Sequence, residues 1–370
     1  MRGRCASGAL VTIALSIIAG PGSSRADNER TAAAVTIYHD SDNVTVIAPT
    51  ITGRVEVDPF SADARVTVDI ISAASVDLVS QASPAGFHEL RTEVQASGQY
   101  RLGLGSDVSA SYSVSLEPDY VGHGIRVHHT RDILDRLATV SVGYGYARAQ
   151  IGRADDTSFS RSRDEHELAL SWSHVLTQTE VIDLDATFGL ASGFQANPYR
   201  LVPVFAPGAA THATAVVEAV PDLRLRTSGG VRLRSEPIPH LHGVVGYRFY
   251  GDDWGLLAHT FMVRGTVDVL DEQLAISLDG RAYGQGEATF HQRRYETFPE
   301  IPVLRSADKE LGGMWTALGG IDLEWSPPVD FARALRVGAG VDVYHMHYAD
   351  HAALSSRNAL IVATDLTLEL

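Results

Sequence analysis

The feature that most constrains the fold is an alternation of apolar and polar residues with a period of two, which recurs along almost the whole chain. Between Leu90 and Leu102 the even positions are mainly apolar or small, and the odd positions are charged or polar; residues 108–116 and 182–190 repeat the pattern. Successive residues of a β-strand point to opposite faces, so each segment predicts a strand with one apolar and one polar face. Soluble two-sheet sandwiches also alternate, but their strands are usually shorter than these segments.

The chain divides into about sixteen such segments: roughly 32–40, 44–57, 62–74, 88–102, 107–117, 122–132, 137–150, 164–175, 180–192, 222–235, 240–251, 255–268, 273–285, 311–326, 333–347 and 357–370. The long connections all follow odd-numbered segments: 75–87, 151–163, 193–221 and 286–310. Bacterial outer-membrane barrels have an even strand number, short periplasmic turns and longer outer loops. The predicted fold is therefore all-β, a transmembrane antiparallel up-and-down β-barrel of about 16 strands, or of 14 if Pro49 interrupts the second segment.

The N-terminus carries the signs of an export signal. Arg2 and Arg4 precede a short apolar run, 10–19, and Ser24-Arg25-Ala26 resembles a cleavage site. The alternative, a membrane anchor, would need about 20 apolar residues. We expect a signal peptide at 1–26 and a barrel at 27–370, exported to the outer membrane of a Gram-negative bacterium. Cleavage would remove the single cysteine, Cys5, and with it any disulfide.

The C-terminal segment and the charge balance indicate which partners to expect. Leu360 to Leu370 alternates to the final residue, as a strand that closes a barrel and is read by the barrel-assembly machinery would, although that signal usually ends in an aromatic residue. With 45 acidic and 30 basic residues, a net charge of −15 argues against nucleic acid as a partner. The expected partners are outer-membrane lipid, the assembly machinery and, for a scaffold, a periplasmic protein.

The polar faces of the predicted strands carry many charges that would point into the barrel lumen. The candidate lumen-lining residues are Arg224, Arg226, Arg232, Arg234, Arg248, Arg264, Arg281, Asp183, Asp185, Asp268, Asp279, Asp322, Glu324 and Asp342. One interpretation is a charged constriction that orders ions or an anionic solute. The other is structural, with lumen charges neutralising one another because unpaired buried charge is costly.

The connection after the third segment is the candidate constriction loop. Its small and polar residues Ser72, Ser75, Asp77 and Ser83 suit a segment that folds inward as a plug. They suit equally a compact loop that packs on the rim of the barrel.

Other polar groups suggest chemistry only weakly. Histidines cluster at 123, 128 and 129 and at 345, 347 and 351, but match no zinc signature. The acidic turns 40–43 and 252–253 lack the ligand spacing of a dedicated calcium loop. Ser171, Ser173 and His174, or His88 and Glu89, supply the residue types of a barrel hydrolase, but no nucleophile motif surrounds them. We predict no metal, no cofactor and no catalytic residue.

Several residue blocks support a family resemblance: Ser72-Ala73-Ala74-Ser75-Val76-Asp77, Ser83-Pro84, His88-Glu89-Leu90-Arg91, Glu117-Pro118-Asp119-Tyr120, Asn197-Pro198-Tyr199-Arg200, Tyr247-Arg248-Phe249-Tyr250 with Asp253-Trp254-Gly255, and Asp308-Lys309-Glu310-Leu311. In these blocks the chain resembles the bacterial barrel family catalogued as domain of unknown function 3570. The resemblance implies an outer-membrane location and no established activity, so it assigns no residue a role.

The sequence therefore predicts an outer-membrane barrel acting as a channel or porin-like transporter for a small solute or ion. The alternative is a non-conducting scaffold for a periplasmic or surface partner. A barrel lipid hydrolase is a third, weaker hypothesis.

Overall fold

The computed structural model describes residues 28–73, 87–297, 300–349 and 354–370, with backbone alone at 72–73 and 87–89. The predicted signal peptide, 1–26, lies outside these ranges. The strands, numbered along the chain, are β1 (Asn28–Asp40), β2 (Val44–Val57), β3 (Phe60–Ala73), β4 (Phe87–Gly103), β5 (Ser106–Glu117), β6 (Tyr120–Ile133), β7 (Ala138–Ile151), β8 (Arg161–Val175), β9 (Glu180–Gly193), β10 (Leu201–Phe205), β11 (His212–Val217), β12 (Leu223–Ile238), β13 (Leu241–Asp252), β14 (Leu257–Val269), β15 (Leu274–Gln285), β16 (Tyr295–Glu296), β17 (Met314–Trp325), β18 (Ala334–Tyr348) and β19 (Ser356–Glu369). Within the described ranges, no helix is long and apolar enough to cross a membrane.

Sixteen of these strands, all but β10, β11 and β16, form one closed antiparallel barrel. The first and last strands pair directly, from Arg30 opposite Glu369 to Asp40 opposite Ala359, so every strand has two neighbours. The all-β prediction is confirmed, and so is the strand number of 16 over 14. β2 runs unbroken through Pro49, where the register with β3 passes from Ile47 to Thr50.

The alternation sorts side chains between the two faces of the barrel wall. On β12 the register places Leu225, Val231 and Leu233 on the outside, where 52%, 37% and 40% of their surfaces are exposed. Arg224 and Arg226 point to the inside. Exposed apolar residues continue around the outside of the other strands, so the wall presents an apolar exterior and a polar interior.

The two rims of the barrel differ. The turn end carries the start of β1, the end of β19 and short connections such as 58–59, 104–105 and 239–240. The loop end carries the long connections, including 194–222 between β9 and β12 and 286–313 between β15 and β17. We call these two segments together the cap.

The cap contains structure that sequence analysis missed. The segments predicted as loops at 193–221 and 286–310 contain β10, β11 and β16, which form a separate sheet in which β10 is antiparallel to β11 and parallel to β16. Val202, Val204 and Tyr295 are buried at its centre. Strands of two to six residues are too short to show a clear alternation, which explains the omission.

Candidate functional site

A cavity of about 1730 Å³ lies inside the barrel beneath the cap. Val44 and Arg357 line one side of it, and Arg163 and Glu165 line another, so it extends from β2 and β19 to β8. Its lining is rich in charged and aromatic side chains from both the cap and the wall.

Three of the residue blocks behind the family resemblance, and parts of a fourth, meet at this cavity. Glu117–Tyr120, Asn197–Arg200 and Asp308–Leu311 all line it, together with Tyr250 and Trp254. These blocks are far apart in the chain and follow no common periodicity. The sequence alone therefore does not indicate that these blocks share a site.

Arg200 is the central charge of the cap. Its guanidinium pairs with Asp308 and lies 3.4 Å from Glu218, whose side chain is 2% exposed. Glu218 also accepts hydrogen bonds from the Ser306 hydroxyl (2.6 Å) and the Asn197 amide (2.8 Å). Burial disfavours the charged form of Arg200, but Asp308 and Glu218 outweigh it and raise the pKa above its usual value. The cap is thus organised around a permanent, compensated charge.

Tyr199 joins the cap to two neighbouring loops. Its hydroxyl donates to the Asp119 carboxylate and accepts a hydrogen bond from the Ala154 amide (2.7 Å). The Arg153 guanidinium lies 5.6 Å from the centre of the Tyr199 ring. Burial, together with the hydrogen bond to Asp119, raises the pKa of Tyr199 to about 12. The phenol therefore keeps its proton at any physiological pH.

The acidic turn at 40–43, considered for calcium, is held by protein groups. The Asp40 carboxylate accepts hydrogen bonds from the Tyr38 hydroxyl (2.9 Å) and from the Asp42 and Val44 amides (2.9 and 3.0 Å). Arg357 of β19 lies 3.3 Å from Asp40 and 2.7 Å from Asp42. The turn therefore ties β1 to β19, where the barrel closes.

The second acidic turn, at 252–253, repeats this arrangement. Asp252 accepts hydrogen bonds from the Tyr250 hydroxyl (2.9 Å) and from the Trp254 and Leu256 amides (both 3.0 Å). Arg224 donates to it at 2.9 Å and lies 4.2 Å from the centre of the Trp254 ring. In the described part of the chain, no group of three or more His, Cys, Asp or Glu side chains is arranged to hold a metal.

The strand register places all fourteen candidate lumen residues on the inner face of the wall. Several form ion pairs that reach past the adjacent strand: Arg226 with Glu165 (2.9 Å), Arg248 with Asp185 (3.3 Å) and Arg264 with Asp322 (3.1 Å). Arg264 also lies 3.4 Å from Asp279, and Arg234 lies 2.8 Å from Asp183.

The other candidates have varied surroundings. Asp268 lies 2.8 Å from His242, and the Arg281 guanidinium lies 5.4 Å from the centre of the Tyr344 ring. Arg232 and Glu324 are exposed and form no ion pair within the described residues. Asp342 stands opposite Gly320, where any side chain would collide with it. The charges are thus partly paired and partly free.

The candidate constriction loop can be placed only at its start. Ser72 belongs to the backbone of β3, whereas Ser75, Asp77 and Ser83 lie outside the described residues.

The histidine clusters do not gather into ligand sets. His123 and His129 point outward and His128 inward, on opposite faces of β6. His345 and His347 share the outer face of β18, where both pack against Trp315. The third member of that cluster, His351, lies outside the described residues.

The residues considered for a hydrolase are separated by the barrel wall. Ser173 points inward and donates a hydrogen bond to Asp183 (2.7 Å), while His174 points outward and stacks on Trp172 at 5.2 Å. The side chains of His88 and Glu89 are not among those described.

The chain resembles solved structures in its fold, and it matches one protein family. No curated protein matches the chain. A solved structure of a bacterial polysaccharide outer membrane secretin is 8% identical, covering 93% of this chain and 98% of its own, with a TM-score of 0.51. OprD from Pseudomonas aeruginosa also matches, with 8% identity over 93% of this chain and 96% of its own and a TM-score of 0.46. The monoaromatic hydrocarbon channel CymD matches with 8% identity over 96% of this chain and 93% of its own and a TM-score of 0.45. At these identities the likeness concerns the fold.

The family model that matches is described as a protein of unknown function, DUF3570, and it aligns with residues 152–360. Of the blocks quoted above, those before residue 152 lie outside the aligned range, and the later ones lie within it. Since the match spans more than half of the chain, this protein belongs to the DUF3570 family.

Proposed function

We propose that this protein is an outer-membrane channel for a small hydrophilic solute or ion. The observation that carries the proposal is the solvent exposure of the inward arginines. Arg234, Arg248 and Arg264 are ion-paired, yet their side chains are 53%, 49% and 47% exposed inside a closed wall. Charges that remain so accessible favour a hydrated lumen over one filled by neutralised pairs.

The opposite part of the wall supports the same proposal because its inward side chains are small. The inward positions of β5 include four serines, Ser109, Ser111, Ser113 and Ser115, and those of β6 include Gly122 and Gly124. Sixteen-stranded barrels are wide enough to leave an aqueous path unless large side chains fill them. Small residues along one wall leave that space open.

In this proposal the cap and its cavity form the outer entrance. A solute arriving at the loop end meets Tyr199, Arg200 and Asp308 before it reaches the Arg226 and Arg248 pairs below. An entrance lined by both signs of charge and by aromatic rings suits polar solutes better than apolar ones. Export by a cleaved signal peptide, and short turns on the periplasmic side, are parts of the same proposal.

The test is single-channel conductance of the chain lacking residues 1–26, refolded into a planar bilayer. We expect stable open steps and, in Arg226→Gln/Arg248→Gln, a reversal potential displaced towards cation selectivity, because two lumen cations are lost. Arg148→Gln is the matched control, since Arg148 points outward and pairs with Asp164. A folded barrel that never conducts would refute the channel and favour the scaffold hypothesis.

A further inference from the structure

Among the described side chains, the outer face of the barrel carries one arrangement three times, always in a hairpin that turns at the loop end. A tyrosine on the first strand is hydrogen-bonded to Nδ1 of a histidine on the second strand. The pairs are Tyr112–His123 (2.6 Å), Tyr144–His166 (2.7 Å) and Tyr247–His259 (2.7 Å).

The three pairs share the same register. The residues directly opposite the three tyrosines are Ile125, Leu168 and Phe261. In each hairpin the histidine precedes that opposite residue by two positions. The ring centres are 6.0 to 6.2 Å apart in all three. Three copies of one diagonal geometry on separate hairpins indicate a common role beyond the packing of a single strand.

Each histidine has one ring nitrogen to spare. The tyrosine hydroxyl occupies Nδ1, and Nε2 of His123, His166 and His259 has no hydrogen-bond partner within the described residues. With the phenol as donor, the neutral ring carries its proton on Nε2. The pair then presents an oriented N–H group away from the barrel wall.

The pairs lie at the edge of the apolar exterior. The histidines are the fourth residue of β6, the sixth of β8 and the third of β14, counted from the loop end. Towards the turn end, the outward residues next to them are exposed and apolar: Ile125 and Val127, Leu168 and Leu170, Phe261 and Val263. Aromatic rings at this position of a barrel lie at the level of the lipid headgroups.

At that level the N–H group can donate to an acceptor of the headgroup layer, whereas the hydrocarbon below offers none. Two of the pairs adjoin an ion pair: Arg148 stands opposite His123, and Asp164, which precedes His166 by two residues, lies 3.4 Å from Arg148. Arg148 and Asp164 bind each other and not Nε2 of His123 or His166. Phosphate oxygens are the strongest acceptors in a headgroup layer.

We propose that the three Tyr–His pairs are binding sites for the phosphate group of a phosphorylated lipid in the outer leaflet. The Nε2–H group donates to a phosphate oxygen while the tyrosine hydroxyl fixes the ring. The proposal rests on the membrane location in the proposed function, and it is independent of whether the barrel conducts.

The experiment measures lipid retained by the folded full-length barrel in detergent micelles by native mass spectrometry. Dioleoyl phosphatidic acid is compared with dioleoylglycerol, which lacks the phosphate, and with inorganic phosphate alone. We expect the wild type to retain up to three phosphatidic acid molecules. The triple variant His123→Phe/His166→Phe/His259→Phe should retain phosphatidic acid about fivefold more weakly at each site. His174→Phe, an outward histidine at the turn end, should retain phosphatidic acid like the wild type.

The proposal is overturned if the triple variant retains phosphatidic acid like the wild type, or if dioleoylglycerol is retained equally. It is also overturned if inorganic phosphate alone displaces the lipid, since that indicates a site for the free anion. If the triple variant does not fold, each single variant should lose one of the three molecules. The conductance of the wild type is recorded in a separate experiment. If the wild type retains the lipid but carries no current, the channel hypothesis is refuted and the lipid site is not.

Discussion

Arg357 adds ion pairs to the junction of β1 and β19, where the barrel closes, and its replacement by glutamine tests how much they stabilise the fold. Arg357 is 12% exposed and lies against two carboxylates, Asp40 and Asp42, whose side chains are 0% and 6% exposed. Arg357→Gln keeps a polar side chain of similar reach but removes the charge. The buried Asp40 carboxylate then loses the guanidinium that lies 3.3 Å from it.

The expected cost follows from burial. Removing one partner of a buried ion pair typically destabilises a protein by about 3–5 kcal/mol, because the remaining charge is not compensated. Asp40 keeps the Tyr38 hydroxyl and two backbone amides, so we expect the lower part of that range, about 3 kcal/mol. Arg336 provides the control: it lies 3.7 Å from Glu369, with side chains 39% and 20% exposed, and Arg336→Gln should cost less than about 1 kcal/mol.

The assay is urea unfolding in lipid vesicles, followed by tryptophan fluorescence and by the gel shift between folded and boiled protein. The double variant Arg357→Gln/Asp40→Asn should recover part of the loss, because it removes a carboxylate together with its cation. The reasoning is refuted if Arg357→Gln and Arg336→Gln lower the free energy of unfolding equally.

Two further outcomes follow from the structure. The pKa of Tyr199 is about 12 in the folded protein, against about 10 in an unfolded chain. The protonated phenol therefore contributes fully to the stability of the fold below pH 10, and this contribution is lost as the pH rises through 12. Tyr199→Phe should remove one late-ionising phenol from the absorbance titration at alkaline pH, and an unchanged titration curve would contradict the assignment. Gly320→Ala should destabilise the barrel by about 1–3 kcal/mol in the urea assay, because a Cβ there would clash with the Asp342 carboxylate. Gly319→Ala, with no neighbour closer than 3.9 Å, should have little effect, and equal losses in both variants would contradict the clash.

The wall of the barrel could be predicted from sequence because one physical rule governs it. An apolar exterior and a polar interior impose a period of two, and strands such as β2 and β9 follow the predicted bounds within one residue. The same rule placed Arg226 and Asp185 on the inner face, since orientation depends only on the parity of the position. Most neighbouring strands are also consecutive in sequence, and the exception is the pairing of β1 with β19, which closure of the barrel requires.

The cap and the cavity beneath it could not be predicted in this way. Arg200 meets Asp308 and Tyr199 meets Asp119 across long stretches of chain, and no periodic pattern links these positions. The Tyr–His pairs were missed for a different reason. Their tyrosines were recognisable as outward aromatics, but the diagonal contact with His123 or His259 depends on the exact register, which alternation alone does not provide.

The parallel pairing of β10 with β16 also constrains the order in which the molecule can be assembled. Val204 lies beside Tyr295 only when the two cap segments, which are separated in the chain by the four barrel strands β12 to β15, stand on the same side of the membrane. Both segments must be translocated before that small sheet can form. The cap sheet is therefore completed after the strands between its two halves have been inserted, and a barrel halted before that point would expose the buried faces of Val202 and Val204 at its loop end.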